Sequence, residues 1–303
     1  MKILIVGGTG MIGAHTALHL RDQGNDVTIA ARAQMTAESP VADFPILIGD
    51  YTLPSLTPEQ LSGFDGIVFA AGQDVRHKNS NADDSQFWEK TQSGGVPRFA
   101  ALAKQAGVPR FVQVGSYYHH LRPDLAVGNP YITARQAADE GARALADDSF
   151  IVSTLNPPSI IGVVPGASVN RYRRMVSWAA GNELDIPDFA PVGGTNYMSA
   201  RSLAEAVWGA LRSAKTGSAY LVGDQNLRYR EFFQMLVDAA GSSRMIEERN
   251  EEHPLLPDNA IIQGRGNALS YEPDAENLCL LSYTRNDCAR AVQELVDTVR
   301  AAG

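Results

Sequence analysis

Residues 3–13 of the chain read ILIVGGTGMIG, an uninterrupted apolar run followed by spaced glycines. An apolar run of this length is typical of a buried strand in a parallel sheet, which is covered on both faces. Gly7 lets the chain turn tightly, Gly10 lets backbone approach a pyrophosphate, and Gly13 lets the next helix pack closely on the strand. The start of that helix offers N–H groups and a partial positive charge to phosphates. The stretch therefore predicts a dinucleotide-binding loop, with a purely structural glycine turn as the alternative.

Strand-like and helix-like segments alternate through the first half of the chain. Short β-rich apolar runs predict strands at 2–7, 27–31, 45–49, 66–71, 110–115 and 150–155. Helices are predicted at 11–23, 83–106 and 132–146. This alternation predicts an α/β fold with a doubly wound, parallel Rossmann sheet.

The pattern loosens after Asn156, where loops rich in glycine and proline separate the helices. Helices are predicted at 169–180, 199–211, 229–240 and 285–300, and a strand at 219–222. The polar stretch 247–273 is interpreted as an excursion over a substrate pocket. We expect a dinucleotide-binding domain at 1–156, to which 196–222 returns, and a smaller, interleaved substrate-binding domain at 157–303.

Composition excludes several classes of protein. Of the 303 residues, 44% are hydrophobic and 20% are charged, as in ordinary soluble globular proteins. The formal net charge is −8, whereas binding to nucleic acid or to an anionic membrane needs clustered Lys and Arg. The N-terminal apolar run ends at Gly7, too early for a signal peptide or a membrane span. Cys279 and Cys288 are the only cysteines and lack the spacing of a metal site, so we expect neither a disulfide scaffold nor a zinc site. We expect a cytoplasmic location, where thiols stay reduced.

The end of the second predicted strand indicates which nucleotide is bound. A NAD-selective Rossmann site commonly carries Asp or Glu about 20 residues past the glycines, where it binds the ribose hydroxyls. This chain has Arg32 there, and a guanidinium holds a 2′-phosphate by bidentate, charge-assisted hydrogen bonds. NADP(H) is therefore expected in preference to NAD(H). The alternative is a solvated arginine at a strand end.

Further motifs extend along nearly the whole chain. They are GGTGMIG at 7–13, GD at 49–50, FAAG at 69–72, GVPRFVQVGS at 107–116, LNPPSIIG at 155–162 and AYLVG at 219–223. In order and spacing they resemble the extended branch of the short-chain dehydrogenase/reductase (SDR) superfamily, which contains sugar epimerases, dehydratases and carbonyl reductases. The cofactor-binding residues that the loop and the resemblance imply are Gly7, Thr9, Gly10, Met11, Ile12, Gly13, Arg32, Asp50, Ala70, Ala71, Gly72, Pro157 and Ser159, with Asp50 at the adenine.

The resemblance also implies a catalytic group. Ser116 matches the Ser or Thr that follows the fifth strand, and Tyr131 and Arg135 match a YxxxK motif with Arg in place of Lys. Four-residue spacing places the latter two on one helical face. In the family the Tyr moves a proton as hydride is transferred, the Ser hydroxyl holds the carbonyl, and the cation stabilises the phenolate and binds the nicotinamide ribose. Arg135 keeps the charge but does not readily release a proton. Otherwise Tyr131 is a plain helix-start residue after Pro130.

The residues directly after Ser116 are expected to line the substrate pocket. Tyr117, Tyr118 and His119, followed by His120, fit an aromatic wall for an apolar or aromatic substrate, and simple loop packing is the equal alternative. Adjacent histidines are expected on different sides of an element with no third ligand, so no metal site is expected.

Other positions depart from the family pattern. Family members often have Asn where Gln92 stands, and sugar-nucleotide members often have Arg where Asn156 stands. Arg171, Arg173 and Arg174 either hold a substrate diphosphate or form a solvated helix face.

The leading hypothesis is an oxidoreductase: an NADP(H)-dependent carbonyl reductase or alcohol dehydrogenase for a small organic molecule, with Tyr131 as acid/base. One alternative is a NAD-dependent sugar-nucleotide epimerase or dehydratase, against which Arg32 and Asn156 count. Another is a non-catalytic NADP-binding regulator, which Arg135 favours, and an isomerase or lyase using the same pocket is a third. The resemblance implies a homodimer. No nucleic-acid or membrane partner is expected.

Overall fold

The computed structural model describes residues 1–34, 39–72, 84–164 and 169–302. The start of the helix predicted at 83–106 and part of the loop at 162–166 lie outside these ranges. The strands are β1 (Lys2–Val6), β2 (Asp26–Ala31), β3 (Ile46–Ile48), β4 (Gly66–Phe69), β5 (Arg110–Val114), β6 (Ile151–Asn156), β7 (Ser159–Ile161), β8 (Phe189–Pro191), β9 (Gly194–Ser199), β10 (Ser218–Leu221), β11 (Gln225–Arg228), β12 (Glu247–Arg249) and β13 (Ala268–Leu269). The helices are α1 (Met11–Asp22), α2 (Pro58–Leu61), α3 (Asp84–Trp88), α4 (Gly95–Gln105), α5 (Tyr118–Leu121), α6 (Pro130–Arg143), α7 (Asn170–Ala179), α8 (Ala200–Ser213), α9 (Tyr229–Ala239), α10 (Ala275–Leu281) and α11 (Cys288–Ala301).

The chain divides into two compact units. The first unit comprises Met1–Pro157, Leu203–Val222 and Asp274–Tyr283. The second comprises Pro158–Ser202, Gly223–Pro273 and Thr284–Gly303. The segment with α10, which the sequence analysis assigned to the second domain, thus belongs to the first unit.

A seven-stranded sheet forms the centre of the first unit. Its strand order is β10-β6-β5-β4-β1-β2-β3, and every neighbouring pair is parallel. Ile3, Leu4 and Ile5 in β1 are fully buried, as expected for a central strand covered on both faces. The predicted α/β fold with a doubly wound parallel sheet is confirmed, because each strand predicted from the apolar runs corresponds to a strand of this sheet.

The helix predicted at 83–106 is interrupted in the structure. A π-helix, Glu89–Ser93, separates α3 from α4. A Cβ on Gly95 would lie 2.1 Å from the carbonyl oxygen of Lys90, so the backbone passes too close for any other residue. Pro97 then lies in the first turn of α4, where its missing N–H costs no helical hydrogen bond. An uninterrupted helix would have placed that proline in its interior.

The second unit has its own sheet and core. In its four-stranded sheet β9 pairs antiparallel with β11 and parallel with β7 and β13, and β12 forms a separate parallel pair with β8. Helices α7, α9 and α11 supply most of the core, in which the Trp178 and Phe233 rings meet edge to face at 5.2 Å. Both cysteines are free thiols, Cys279 exposed and Cys288 buried. In the described part of the chain, no helix combines the length and the apolar character needed to cross a membrane.

The first unit offers a test of its packing where α8 meets α10. A Cβ on Gly209 would lie 2.0 Å from the carbonyl oxygen of Leu281. We expect Gly209→Ala to lower the free energy of unfolding by about 1–3 kcal/mol, because one of the two helices must shift. The midpoint of urea unfolding measures this effect. Ser213→Ala, at an exposed position of α8, is the control. An unchanged midpoint in Gly209→Ala would show that the two helices separate without cost.

Candidate functional site

The loop between β1 and α1 contains two positions that exclude every side chain. Gly7 has a φ of +84°, and a Cβ on it would lie 2.7 Å from the Cα atom of Ala71. A Cβ on Gly13 would lie 2.2 Å from the carbonyl oxygen of Gly7. Both positions require glycine because α1 and the end of β4 approach the end of β1 at backbone distance.

Gly10 differs from these two because it faces open space. It is exposed, and a Cβ on it would meet only the Gly7 carbonyl oxygen, at 3.4 Å. Gly10 is the N-cap of α1, no described side chain caps this helix, and its first turn contains no acidic residue. The start of a helix without such groups favours an anion. The residues therefore fit the pyrophosphate of a dinucleotide, with Thr9 and Ile12 half-buried beside Gly10.

The other expected cofactor residues lie mainly at the carboxyl ends of neighbouring strands. Arg32 is exposed directly after β2, and the half-buried Asp50 follows β3. The N–H of Ala70 donates to the carbonyl of Val6 at 2.9 Å, so the end of β4 stays beside the glycine loop. The further residues of the set are Met11 and Ala71, both half-buried, Gly72, which is exposed, Pro157, which is buried in the first unit, and Ser159, which begins β7 in the second unit.

Tyr51, which follows the GD motif, is a site residue that was not predicted from the sequence. Its hydroxyl lies 3.0 Å from the carbonyl oxygen of Thr91 and 3.3 Å from that of Ala71. Burial, and then the Asp50 carboxylate, raise the pKa of Tyr51 far above its ordinary value. Tyr51 therefore stays a neutral hydrogen-bond donor that joins the end of β4 to the π-helix.

Ser116 lies directly after β5 and is buried. Its N–H donates to Oδ1 of Asn156 at 2.9 Å, and the next N–H, of Tyr117, donates to the carbonyl of Pro157 at 3.3 Å. These bonds hold the turn after β5 against the end of β6. Ser116 is thereby placed at the carboxyl edge of the sheet, where open α/β sheets bind their ligands.

Tyr131 lies in the first turn of α6 and is half-buried. Asn129 caps this helix, its Oδ1 accepting from the N–H groups of Tyr131 at 3.1 Å and Ile132 at 3.3 Å, and Pro130 takes the first helical position. The Tyr131 ring packs edge to face on Trp88, with ring centroids 5.5 Å apart. Asn129 and Pro130 thus fix the residue at which α6 begins, and the contact with Trp88 restrains the Tyr131 ring.

Arg135 lies one turn further along α6 and is buried. One terminal nitrogen donates to Oε1 of Gln92 at 3.3 Å, and the other donates to the carbonyl oxygens of Val114, at 3.1 Å, and Gly115. Its Nε is buried without a hydrogen-bond partner among the described atoms. The guanidinium is thus bound to the end of β5 and to the π-helix.

Asp139, another turn along α6, is a second residue that the sequence analysis missed. Its carboxylate is fully buried and lies within hydrogen-bond distance of Nε2 of His119 at 2.9 Å, Nε2 of His120 at 3.1 Å and Nε of Arg143 at 2.5 Å. The amide nitrogen of Asn156 is 3.4 Å from the same carboxylate and 3.0 Å from Nε2 of His120. The spacing Tyr131, Arg135, Asp139 repeats every four residues and could have revealed this position.

Electrostatics explain the charge states in this cluster. Burial opposes ionisation of Asp139, but the hydrogen bonds from His119, His120 and Arg143 outweigh it and hold the pKa of Asp139 well below its ordinary value. Burial lowers the pKa of His119, against the hydrogen bond to Asp139. Asp139 is therefore a carboxylate and His119 a neutral imidazole near pH 7, with the proton on Nε2.

Contrary to the expectation from the sequence, the adjacent histidines do not lie on different sides of their helix, and a third potential ligand is present. The two rings tilt toward one carboxylate, with centroids 4.1 Å apart, and Asp139 is a third potential ligand. The candidate ligand atoms lie within 4.8 Å of one another. Two imidazoles, the Arg143 guanidinium and the Asn156 amide nevertheless supply as many donors as a carboxylate accepts. The group is therefore a hydrogen-bonded cluster.

The remaining candidate residues make other contacts. The Tyr117 and Tyr118 rings contact each other at a centroid distance of 4.4 Å, with Tyr117 buried and Tyr118 half-buried. Arg171, Arg173 and Arg174 are exposed on α7. Arg173 donates to the carbonyl of Ala302, and Arg174 pairs with Asp185 at 3.0 Å.

Comparisons with known proteins agree with this architecture. Residues 3–223 match the model of a family described as the NAD dependent epimerase/dehydratase family. A nucleoside-diphosphate-sugar epimerase from Pseudomonas aeruginosa is 18% identical, with a TM-score of 0.76 over 100% of this chain and 98% of that one. A UDP-N-acetylglucosamine 4-epimerase from Bacillus cereus is 18% identical, with a TM-score of 0.72 over 99% and 96%. A UDP-glucuronic acid 4-epimerase from the same organism, in complex with NAD, is 12% identical, with a TM-score of 0.71 over 99% of both chains. At these identities the structures show a shared fold. No curated protein matches the chain.

The glycine loop yields a matched pair of variants. We expect Gly13→Ala to unfold at a clearly lower temperature, because its Cβ would overlap the Gly7 carbonyl. Gly10→Ala has room for its Cβ in the free protein and should unfold as the wild type does, but it should weaken binding of a nicotinamide dinucleotide at least about tenfold. Thermal unfolding and fluorescence titration with NADH and NADPH measure the two effects. Equal affinity in Gly10→Ala and the wild type would contradict a phosphate site at this loop.

His119 makes stability depend on pH. Its folded-state pKa is lower than the 6.5 of an unperturbed histidine, so below about pH 6.5 the unfolded chain binds more protons than the folded one. Stability should therefore fall as the pH drops, by at most about 1.4 kcal/mol per pH unit for this group. His119→Gln keeps a donor to Asp139 and should flatten the slope between about pH 7.5 and about pH 5.5 in thermal unfolding.

His15→Gln on α1 is the control for this slope and should retain it. Part of the slope should remain in both variants, because burial also lowers the pKa of His253. A slope in His119→Gln as steep as that of the wild type would contradict the assignment.

Proposed function

Because the chain belongs to the NAD dependent epimerase/dehydratase family, we propose that it is a nicotinamide-dependent enzyme that converts a nucleotide sugar by hydride transfer. One observation carries the proposal. Helix α6 carries Tyr131 in its first turn and, through Arg135 one turn later, is bonded to the end of β5 directly before Ser116, in a unit whose β1–α1 loop fits a dinucleotide. A proton-transferring hydroxyl, a hydroxyl for the substrate oxygen and a phosphate-binding loop are the parts that such a reaction needs.

The chain's own residues have distinct roles in this reaction. A nicotinamide dinucleotide held at the β1–α1 loop by residues such as Gly10 would supply the hydride acceptor, and later the donor, for a carbon that bears a hydroxyl group. Tyr131 takes the hydroxyl proton as the hydride leaves that carbon, so the alcohol becomes a ketone with both hydrogens accounted for. Ser116 donates a hydrogen bond to the carbonyl oxygen that forms. When hydride returns to the opposite face, Tyr131 gives back the proton and the carbon is inverted.

The proposed substrate class, a nucleotide sugar, is supported by the family and by similar solved structures. The family is named for epimerases and dehydratases, and the similar solved structures include enzymes that act on nucleoside-diphosphate sugars and UDP sugars. Asn156 stands where an arginine is frequent in sugar-nucleotide members, but its amide makes hydrogen bonds within the turn after β5. The absence of arginine there therefore counts less against a sugar nucleotide than the sequence suggested.

A carbonyl reductase using NADP(H) is the second candidate, and Arg32 favours it. This arginine is exposed at the end of β2, where its guanidinium can meet a 2′-phosphate. The similar UDP-glucuronic acid 4-epimerase is in complex with NAD, which favours the first candidate. Arg32→Ala separates the two cofactors: if NADP(H) is the partner, this variant weakens NADPH binding and leaves NADH binding unchanged.

Incubation of the purified protein with UDP-glucose, UDP-N-acetylglucosamine and UDP-glucuronic acid tests the proposal, with NAD or NADP present and products separated by chromatography. We expect one of these substrates to be converted to its epimer or to a dehydrated ketosugar. Tyr131→Phe should lower that rate by about 10²- to 10⁴-fold, because the acid/base is lost. Tyr220→Phe on β10, whose hydroxyl accepts from the N–H of Lys215, is the control and should retain the rate.

The outcomes separate the candidates. Consumption of NADPH with simple ketones, but no change in any UDP sugar, would favour the reductase. Conversion that continues at full rate in Tyr131→Phe would exclude Tyr131 as the acid/base. Cofactor binding without either reaction would favour a nucleotide-sensing protein.

A further inference from the structure

The peptide group that joins Gly115 to Ser116 is hydrogen-bonded on both sides. Its carbonyl oxygen accepts from a terminal nitrogen of Arg135, and its N–H donates to Oδ1 of Asn156 at 2.9 Å. None of the described peptide bonds is cis, so these two groups point to opposite sides of the peptide. Partners on both sides fix the rotation of this peptide plane. They thereby fix the direction in which the Ser116 side chain leaves the backbone.

Arg135, on the carbonyl side, is held rigidly. Gln92 accepts from one terminal nitrogen at 3.3 Å, while the other also reaches the Val114 carbonyl at 3.1 Å. A Cβ on Gly72 would lie 3.0 Å from Nη1, so little space remains around the group. A planar guanidinium offers donors in a fixed fork, whereas a lysine ammonium is a compact charge with three donors on one atom. Only arginine can meet Gln92 and two successive carbonyls in this way.

Asn156, on the N–H side, is held by contact and by charge. Its Oδ1 lies 2.1 Å from the place where a Cβ on Gly115 would stand, so the amide fits because residue 115 is glycine. Its amide nitrogen lies 3.4 Å from Oδ2 of Asp139. The same nitrogen lies 3.0 Å from Nε2 of His120. A flipped amide would set its nitrogen against the Ser116 N–H, donor against donor, and would turn its oxygen toward the Asp139 carboxylate. The negative charge of Asp139 and the Ser116 N–H therefore both favour the orientation in which Asn156 accepts from Ser116.

The residues that fix the two sides of the Gly115–Ser116 peptide, Arg135 and Asp139, lie on the same face of α6. Arg135 acts directly and Asp139 acts through Asn156, and each lies four residues from the next, beginning at Tyr131. Helical spacing of this kind places all of them on one side of the helix. The helix that carries Tyr131 thus also determines how Ser116 is presented.

We propose that Arg135 and Asp139 are positioning residues for Ser116, acting on the two sides of the Gly115–Ser116 peptide. The catalytic consequence rests on the proposed function, in which Ser116 holds the substrate oxygen. Arg135, the arginine of the YxxxR motif, therefore holds the end of β5 in place by donating to the carbonyls of Val114 and Gly115. Its charge alone, which lysine would supply equally, is insufficient.

Arg135→Lys tests this directly, because it recreates the YxxxK motif. If charge beside Tyr131 were the only requirement, the variant would keep or exceed the wild-type kcat. We expect instead that kcat falls at least about tenfold with KM little changed, and that the Ser116 amide resonance shifts in ¹⁵N–¹H correlation spectra. The same amide should exchange with solvent about 10- to 100-fold faster. Arg98→Lys on α4, an exposed arginine paired with Glu89, is the control.

Asp139→Asn tests the other side of the peptide. Loss of the negative charge allows the Asn156 amide to flip, so exchange of the Ser116 amide should accelerate by a similar factor. Glu140→Gln is the matched control, since it makes the same chemical change at the next residue on the exposed face of α6. If Asp139→Asn does not fold, the wild-type protein still gives a result: its Ser116 amide must exchange at least about 100 times more slowly than in an unstructured peptide.

The spectra test the positioning of Ser116, and the kinetics test the proposed function, so either claim can be contradicted without the other. Folded variants whose Ser116 amide keeps the wild-type shift and exchange rate would overturn the proposal, whatever the protein catalyses. A shifted, rapidly exchanging Ser116 amide in a protein without activity on any UDP sugar would support the positioning role and contradict the proposed function. A disturbed amide together with full activity would overturn the claim that the orientation of Ser116 matters for turnover.

Discussion

A buried negative charge at Asp139 ties together three parts of the first unit. Removing a carboxylate from water costs several kcal/mol, and only well-placed donors offset that cost. Here the donors come from α5 through His119 and His120, from β6 through Asn156, and from α6 itself through Arg143. A displacement of α6 relative to β6 or α5 would remove donors from this carboxylate, which opposes such a movement. The geometry at the N-terminal end of α6 follows from this constraint.

Local sequence was sufficient to predict much of the molecule. The apolar run at 3–6 and the glycines after it required only short-range rules, and Gly7 and Gly13 have the close backbone contacts that those rules predict. The sheet strands were equally accessible, because a strand covered on both faces has a continuous apolar sequence. The relation between Tyr131 and Arg135 followed from helical periodicity alone. In each case the information lies within a few residues.

The features that could not be predicted from the sequence depend on contacts between residues far apart in the chain, or on small details of backbone geometry. Arg135 meets Gln92 across 43 positions, and Ser116 meets Asn156 across 40. Nothing local indicates such pairs. The two adjacent histidines were misplaced because α5 is a single short turn, in which neighbouring rings can tilt toward one acceptor. The π-helix brings the Lys90 carbonyl against Gly95, a backbone contact that helical periodicity does not register.

The crowded turn after β5 restricts how this sequence can change over time. A side chain at position 115 would overlap the amide oxygen of Asn156, and a longer residue at 156 would meet the same backbone. Likewise a lysine at 135 would leave Gln92 and two carbonyls without their shared donor. Substitutions at 92 and 135, and at 115 and 156, should therefore occur in pairs. Among homologues these positions are expected to covary, so that a lineage moves between YxxxR and YxxxK only when its partner residues change with it.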